Sequence, residues 1–147
     1  MKLRTIGYET APLTAVIKAL QEAGVETMID VRAVAASRRA GFSKRVLAAS
    51  LAEAGIAYAH LPALGTPKTG RQAARAGRTA EMRAIFEASL AEPAAQLALG
   101  DAIEIARERP AALICYEADA ARCHRRIVAD HMAERAGFEV EDLTPLR

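Results

Sequence analysis

Short apolar runs alternate with amphipathic stretches along almost the whole chain. Between the runs, apolar residues recur every three or four positions, as on one face of a helix; Leu13, Val16 and Leu20 are an example. Five apolar runs have the length and composition of strands, at residues 3–8, 27–31, 57–61, 111–115 and 138–143. Strands that alternate with helices form parallel βαβ units with helices on both faces of the sheet. The pattern therefore predicts an α/β fold, a Rossmann-like three-layer sandwich whose mostly parallel sheet has about five strands.

Three amphipathic stretches end in the same tripeptide, Ala-Gly-apolar, with glycines at positions 24, 55 and 137. Glycine just after a helix adopts the left-handed conformation readily, and the next apolar residue packs back on the last turn. These positions therefore predict helix ends. Ser43 is the predicted N-cap of the second helix and Asp119 that of the last.

Residues 80–108 have the pattern of two helices separated at Pro93. The preceding segment, LGTPKTGRQAARAGRT at 64–79, is basic and contains glycine, and it is interpreted as a loop or flap. No composition shift marks a second domain, so we expect residues 1–147 to form one α/β domain.

Composition excludes several classes of protein. The chain of 147 residues is 52% hydrophobic, which is enough for one core, but only 4% aromatic, which argues against binding of single strands by base stacking. A net charge of +2 restricts any contact with nucleic acid to a local patch. The absence of a long apolar segment or signal sequence, together with two cysteines that form no disulfide framework, predicts a cytoplasmic protein with reduced thiols and no membrane contact.

The polar residues whose side chains could catalyse a reaction or bind a ligand follow the ends of the predicted strands. Ligands of open parallel sheets bind beyond the carboxyl ends of the strands. The residues expected to bind a ligand there are Asp30, Arg32, Ser37, Arg38, Tyr116 and Arg125, and the candidate catalytic residues are Glu117, His124 and Cys123. Arginines with a histidine near a helix start suit a carboxylate or phosphate, although the same charges also form structural ion pairs.

Four stretches, TIGYET, DVRAVAASRRAGFSK, IAYAHLPALG and ICYEADAARCHR, resemble the family called domain of unknown function 488. The resemblance runs in order from Thr5 to about His131, and Asp-Val-Arg followed by Ser-Arg and Cys-His-Arg is its most specific combination. It implies a compact α/β domain and supplies no established activity.

The two cysteines receive different interpretations. Cys115 ends a fully apolar run and is interpreted as an inert, buried strand residue. Cys123 lies near a helix start beside Arg122, His124 and Arg125, which would favour a thiolate, although it also fits the buried face of that helix. The spacing of the cysteines is not that of a zinc site. A hard cation held by Asp30, Glu117 and Asp119 stays open but is disfavoured by the nearby arginines, so no metal is expected, and no cofactor is expected either.

Three functions stay open at this point. The leading hypothesis is an enzyme or ligand-binding domain for a phosphate-bearing ligand, a nucleotide or nucleic-acid end, at the carboxyl edge of the sheet. One alternative is a thiol-dependent or redox-responsive protein that uses Cys123. The other is a non-catalytic module whose basic segments, including Arg71, Arg75 and Arg78, bind a protein or nucleic acid. The sequence leaves the oligomeric state open.

Overall fold

The structure is a computed structural model that describes residues 1–145. Its five strands form one sheet in which every pair of neighbours is parallel, as the alternation of elements predicts. The strands are β1 (Lys2–Gly7), β2 (Thr27–Asp30), β3 (Ala57–His60), β4 (Ala111–Cys115) and β5 (Glu139–Leu143), and their order in the sheet is β3-β2-β4-β1-β5. All five lie where the apolar runs predict them, within a residue or so at each end.

Helices cover both faces of the sheet and complete the three-layer sandwich. They are α1 (Leu13–Glu22), α2 (Lys44–Glu53), α3 (Lys68–Arg75), α4 (Thr79–Leu90), α5 (Pro93–Glu108) and α6 (His124–Ala136), with short 3₁₀ turns at Pro62–Leu64 and Ala120–Arg122. One core contains Leu20 of α1 and Leu51 of α2, and the core on the opposite face contains Phe86, Leu99 and Val128 of α4, α5 and α6. Within residues 1–145, no helix combines the length and apolarity needed to cross a membrane.

The strand order positions a crevice between β2 and β4. The chain leaves β2 toward β3 at one edge of the sheet and leaves β4 toward β5 at the other edge. The connections after these two neighbouring strands therefore diverge, and such a reversal is where ligands of open α/β sheets bind. Strand β4 lies in the middle of the sheet with all five residues buried, which explains its continuous apolar sequence.

The predicted helix ends are confirmed. Gly24, Gly55 and Gly137 have φ angles of 72°, 77° and 77°, and α1, α2 and α6 end one or two residues before them. Pro93 begins α5, two residues after Ala91, the C-cap of α4, so the division of the long helical segment is also confirmed.

Two local predictions are wrong. The loop predicted at 64–79 is helical over Lys68–Arg75, because Ala73 is buried and Gly70 lets α3 approach Ile85 of α4. Asp119 caps the 3₁₀ turn before α6 rather than α6 itself, since its carboxylate accepts from the N–H of Ala121 at 3.0 Å.

Candidate functional site

A cavity of about 670 Å³ opens at the carboxyl ends of β2 and β4. Its walls come from the segments that follow β1, β2 and β4, and from α3, α4 and the start of α6. The lining residues are Tyr8, Arg32, Ala33, Val34, Ala36, Ser37, Arg38, Thr66, Arg71, Ala74, Arg75, Met82, Cys115, Tyr116, Glu117, Arg122 and His124. This volume lies within the range of about 300–1,000 Å³ that is usual for small-molecule sites.

The floor of the cavity rests on a buried ion pair between Asp30 and Arg32. The guanidinium donates to both carboxylate oxygens, at 2.9 and 2.7 Å, and also to the Tyr8 hydroxyl and the Phe42 carbonyl. The hydroxyl of Tyr58 donates to the same carboxylate at 2.6 Å. Burial lowers the pKa of Arg32, but the hydrogen bond to Asp30 and the charge of that carboxylate outweigh it, so the pKa is raised. The charges of Asp30 and Arg32 therefore neutralise each other. Arg32 forms part of the cavity floor, but its charge is already paired.

Arg125 is also fully buried, and protein oxygens bind its guanidinium. It donates to the Thr5 hydroxyl at 3.2 Å and to the backbone carbonyls of Glu117 and Ala118. Gly7 is required beside it, because a Cβ at this position would lie 1.8 Å from the Glu117 carbonyl oxygen and 2.9 Å from Nη1 of Arg125. Arg125 thus joins the end of β1 to the loop that follows β4 and does not line the cavity.

Aromatic rings form the wall on the β1 side. Tyr8 stacks on Phe42 with ring centroids 4.2 Å apart and meets Tyr116 edge-on at 5.4 Å. The backbone N–H of Glu9 donates to the Tyr116 carbonyl at 2.8 Å, which fixes the two strand-end loops to each other. Tyr116 keeps 43% of its surface exposed, so a ring face is available to a ligand.

Four further arginines give the cavity its charge: Arg38, Arg71, Arg75 and Arg122. They come from three separate segments, the loop after β2, helix α3 and the 3₁₀ turn before α6. Arg71 is held in place by donating to the Thr66 carbonyl at 2.9 Å. Glu117 provides the one carboxylate among the described residues that line the cavity. The site is therefore strongly cationic although the whole chain is close to neutral.

Glu117 has a carboxylate oxygen, Oε2, that is inaccessible to solvent and has no hydrogen-bond partner among the described residues. Buried polar atoms are almost always paired, so this oxygen calls for a partner such as a bound water, an ion or a group of a ligand. Glu117 thus lines the cavity and carries a buried, unpaired acceptor, which a small rotation of its side chain would expose to a ligand.

His124 lies against both cysteines. Its Nε2 is 2.7 Å from the Val31 carbonyl oxygen, while its Nδ1 is 3.6 Å from the sulfur of Cys115 and 4.0 Å from that of Cys123. The ring of Phe86 packs on the imidazole with centroids 5.1 Å apart. Both cysteines are buried, and neither forms a disulfide.

The electrostatics of this cluster differ from the sequence interpretation. Burial raises the pKa of the Cys123 thiol well above its usual range, Cys115 adds to the rise, and His124 opposes it. Burial lowers the pKa of His124, whereas the hydrogen bonds with Cys123 and the Val31 carbonyl raise it by more. Desolvation of the sulfur therefore opposes the thiolate that the neighbouring cationic residues would favour, and the guanidinium of Arg125 is bound to Thr5 and to the loop after β4.

The structure brings most of the sequence-predicted residues to one place. Arg32, Ser37, Arg38, Tyr116, Glu117 and His124 line the cavity. Asp30, Arg125 and Cys123 lie behind its wall, where Asp30 and Arg125 organise the strand ends. Arg125 binds the backbone carbonyl of Glu117 rather than its carboxylate, whereas Arg32 pairs with Asp30.

Sequence reasoning missed Arg122 and Cys115 as cavity residues and treated Arg71 and Arg75 only as part of a basic segment. The absence of acidic residues from 54 to 80 was the available signal for the two α3 arginines. No signal separated Arg122 from Arg125, since both lie in the same run, RCHRR, and only their surroundings differ.

Comparison with known proteins supports the assignment of a family. No curated protein and no solved structure matches the chain. One family model does, and it spans residues 12–132, which include α1 through most of α6 and every residue that lines the cavity except Tyr8. With most of its length matched, the chain belongs to the family described as Domain of unknown function DUF488.

Proposed function

We propose that this protein binds a phosphate-bearing ligand of about nucleotide size in the cavity between β2 and β4. The observation that carries the proposal is the charge of the lining, where Arg38, Arg71, Arg75 and Arg122 face one carboxylate, that of Glu117. Four arginines from three segments that line one cavity repel one another unless an anion lies between them, and phosphate is an anion whose geometry guanidinium matches well.

The cavity also suits the rest of a nucleotide. Tyr116 offers an exposed ring beside the cationic wall, and Val34, 56% exposed, offers an apolar surface. A planar base gains about 1–3 kcal/mol from stacking on an aromatic side chain. The combination of guanidinium groups with an aromatic face is the reason for favouring a nucleotide, or the end of a nucleic acid, over a small inorganic anion.

Glu117 is the residue proposed for proton transfer in any reaction at the bound ligand. The residue lines the cavity and its buried Oε2 has no partner among the described residues, whereas Nε2 of His124 is bound to the Val31 carbonyl. An enzyme of this design would lose turnover in Glu117→Gln and keep its ligand affinity, because the amide is isosteric and cannot accept the proton. A pure binding protein would show no turnover in either form.

Binding is tested by calorimetry with a nucleoside, its 5′-monophosphate and its 5′-triphosphate, inorganic phosphate and a 5′-phosphorylated oligonucleotide. The phosphorylated ligands should bind at least 10-fold more tightly than the nucleoside, and their affinity should fall with added salt. Arg71→Gln and Arg122→Gln should each weaken binding by roughly 10- to 100-fold, since a hydrogen bond to a charged group contributes about 1.5–3 kcal/mol and 1.4 kcal/mol is tenfold.

Arg107→Gln is the matched control, because it removes an exposed arginine on α5 that pairs with Glu104 away from the cavity. If the nucleoside bound as tightly as its monophosphate, or if the cavity variants bound like Arg107→Gln, the proposal would be wrong.

A further inference from the structure

Three metal-ligating side chains meet at the inner end of the cavity. Cys115 is the last residue of β4, Cys123 is the N-cap of α6 and His124 is its first residue. Their exposed fractions are 7%, 2% and 6%, and their candidate ligand atoms all lie within 4.8 Å of one another. We call these three residues the Cys₂His cluster.

The imidazole of the cluster is oriented as in a metal site. A backbone carbonyl only accepts, so the contact with Val31 requires the proton of neutral His124 to be on Nε2. The lone pair of Nδ1 then points toward the sulfurs of Cys115 and Cys123, at 3.6 and 4.0 Å. A histidine that binds a metal through one ring nitrogen almost always donates from the other to a carbonyl or carboxylate, and Val31 supplies that carbonyl.

The separations fit a tetrahedral ion. With Zn–S of about 2.3 Å and Zn–N of about 2.0–2.1 Å, a tetrahedral angle places sulfur and nitrogen ligands about 3.6 Å apart. The distance from Nδ1 of His124 to the sulfur of Cys115 equals this value, and the distance to the sulfur of Cys123 exceeds it by a few tenths of an ångström. The two sulfurs lie within 4.8 Å of each other, against about 3.8 Å in a tetrahedral site, so an ion requires the sulfurs to move by at most about 1 Å.

The cluster leaves one coordination position open. Cys115 and His124 line the cavity, while Cys123 lies behind them, so an ion held by all three would face the cavity on its fourth side. Two thiolates would neutralise the charge of a divalent ion, and this lets it lie near the cavity arginines. Three protein ligands with an open position characterise catalytic rather than structural zinc sites.

We propose that Cys115, Cys123 and His124 bind one zinc-like divalent ion whose fourth coordination position opens into the cavity. This metal site rests on the geometry of the cluster and not on the identity of the ligand proposed above. The soft sulfur ligands favour zinc over magnesium or calcium, which prefer oxygen.

The test is anaerobic titration of the reduced, chelator-treated full chain with Co²⁺, followed by competition with Zn²⁺. One equivalent of Co²⁺ should produce a thiolate-to-cobalt charge-transfer band and the visible bands of a tetrahedral site, and Zn²⁺ should remove them. Cys115→Ser and Cys123→Ser should each weaken binding by more than about 100-fold, because losing only a second-shell partner costs about 10- to 100-fold. His131→Gln, a half-buried histidine on α6 that pairs with Glu87, should bind like the parent.

A second measurement uses the unmodified chain, in case a cysteine variant fails to fold. Zn²⁺ should protect both thiols from iodoacetamide while circular dichroism shows the fold unchanged. Absence of the charge-transfer band in the reduced chain, or unprotected thiols at saturating Zn²⁺, would overturn the proposal. Arg71→Gln should leave Co²⁺ binding intact, so failure of the phosphate site and failure of the metal site are distinguishable.

Discussion

Replacement of Arg32 by methionine should destabilise the fold by about 3–5 kcal/mol, the usual cost of removing one partner of a buried ion pair. The variant loses four side-chain hydrogen bonds, two of them to the carboxylate of Asp30. Asp30 has no exposed surface, and it would keep only the Tyr58 hydroxyl and the backbone N–H of residue 32 as donors. Two charge-assisted hydrogen bonds at about 1.5–3 kcal/mol each give a loss of the same size.

Equilibrium unfolding in urea measures this loss. With a slope of about 1–3 kcal/mol per molar urea, the midpoint should fall by roughly 1–5 M without a change in slope. The double variant Asp30→Asn/Arg32→Met should be less destabilised than the sum of the single variants by at least about 1 kcal/mol, because the neutral amide no longer needs the guanidinium. Arg107→Met, an exposed control, should stay within about 0.5 kcal/mol of the parent.

A cost below about 1 kcal/mol for Arg32→Met, or strict additivity in the double variant, would refute the assignment of a structural role to Arg32. If the role is structural, lost ligand binding in an Arg32 variant reports on the fold, and Arg71 and Arg122 are the informative positions for testing the ligand.

Three further substitutions test the structure: the effect of one depends on pH, and the other two change stability in opposite directions. Tyr58→Phe should cost up to about 1.5–3 kcal/mol at pH 8, since a donor to the Asp30 carboxylate is lost. Burial and the hydrogen bond to Asp30 raise the pKa of Tyr58 above its unfolded value near 10. The parent therefore keeps this contribution to stability below about pH 10 and loses it as the pH rises toward the folded pKa. In urea unfolding, the midpoint of Tyr58→Phe should not show this part of the decline at alkaline pH. Gly7→Ala should lower the unfolding free energy by at least about 2 kcal/mol, because its Cβ overlaps the Glu117 carbonyl. Gly100→Ala, in an open position of α5, should raise it by about 0.4–1 kcal/mol; equal effects of the two alanines in thermal unfolding would contradict the close approach at Gly7.

The strands of the sheet were predictable because the burial of each strand is reflected in its own pattern of apolar residues. Strand β4 is apolar at every position since both of its faces are covered, and the left-handed glycines at 24, 55 and 137 end their helices whatever lies beyond them. Helix α3 was not predictable, because its sequence is basic with few apolar residues. Its stability comes from Gly70 and Ala73 packing against the rest of the protein, and short helices depend on such contacts rather than on propensity.

The sequence by itself determined the succession of strands and helices along the chain and the edge of the sheet at which polar side chains gather, because periodicity and the positions of strand ends are local properties. Only the tertiary structure decided what each side chain does there. Arg122 and Arg125 are three residues apart, yet Arg122 lines the cavity, whereas Arg125 is buried and donates to Thr5, which lies 120 positions away in the sequence. Likewise, Cys115 meets Cys123 and His124 because the 3₁₀ turn brings the start of α6 back over the end of β4. The partners of these groups are distant in sequence, and hydrogen bonds and ligand clusters depend on distance in space.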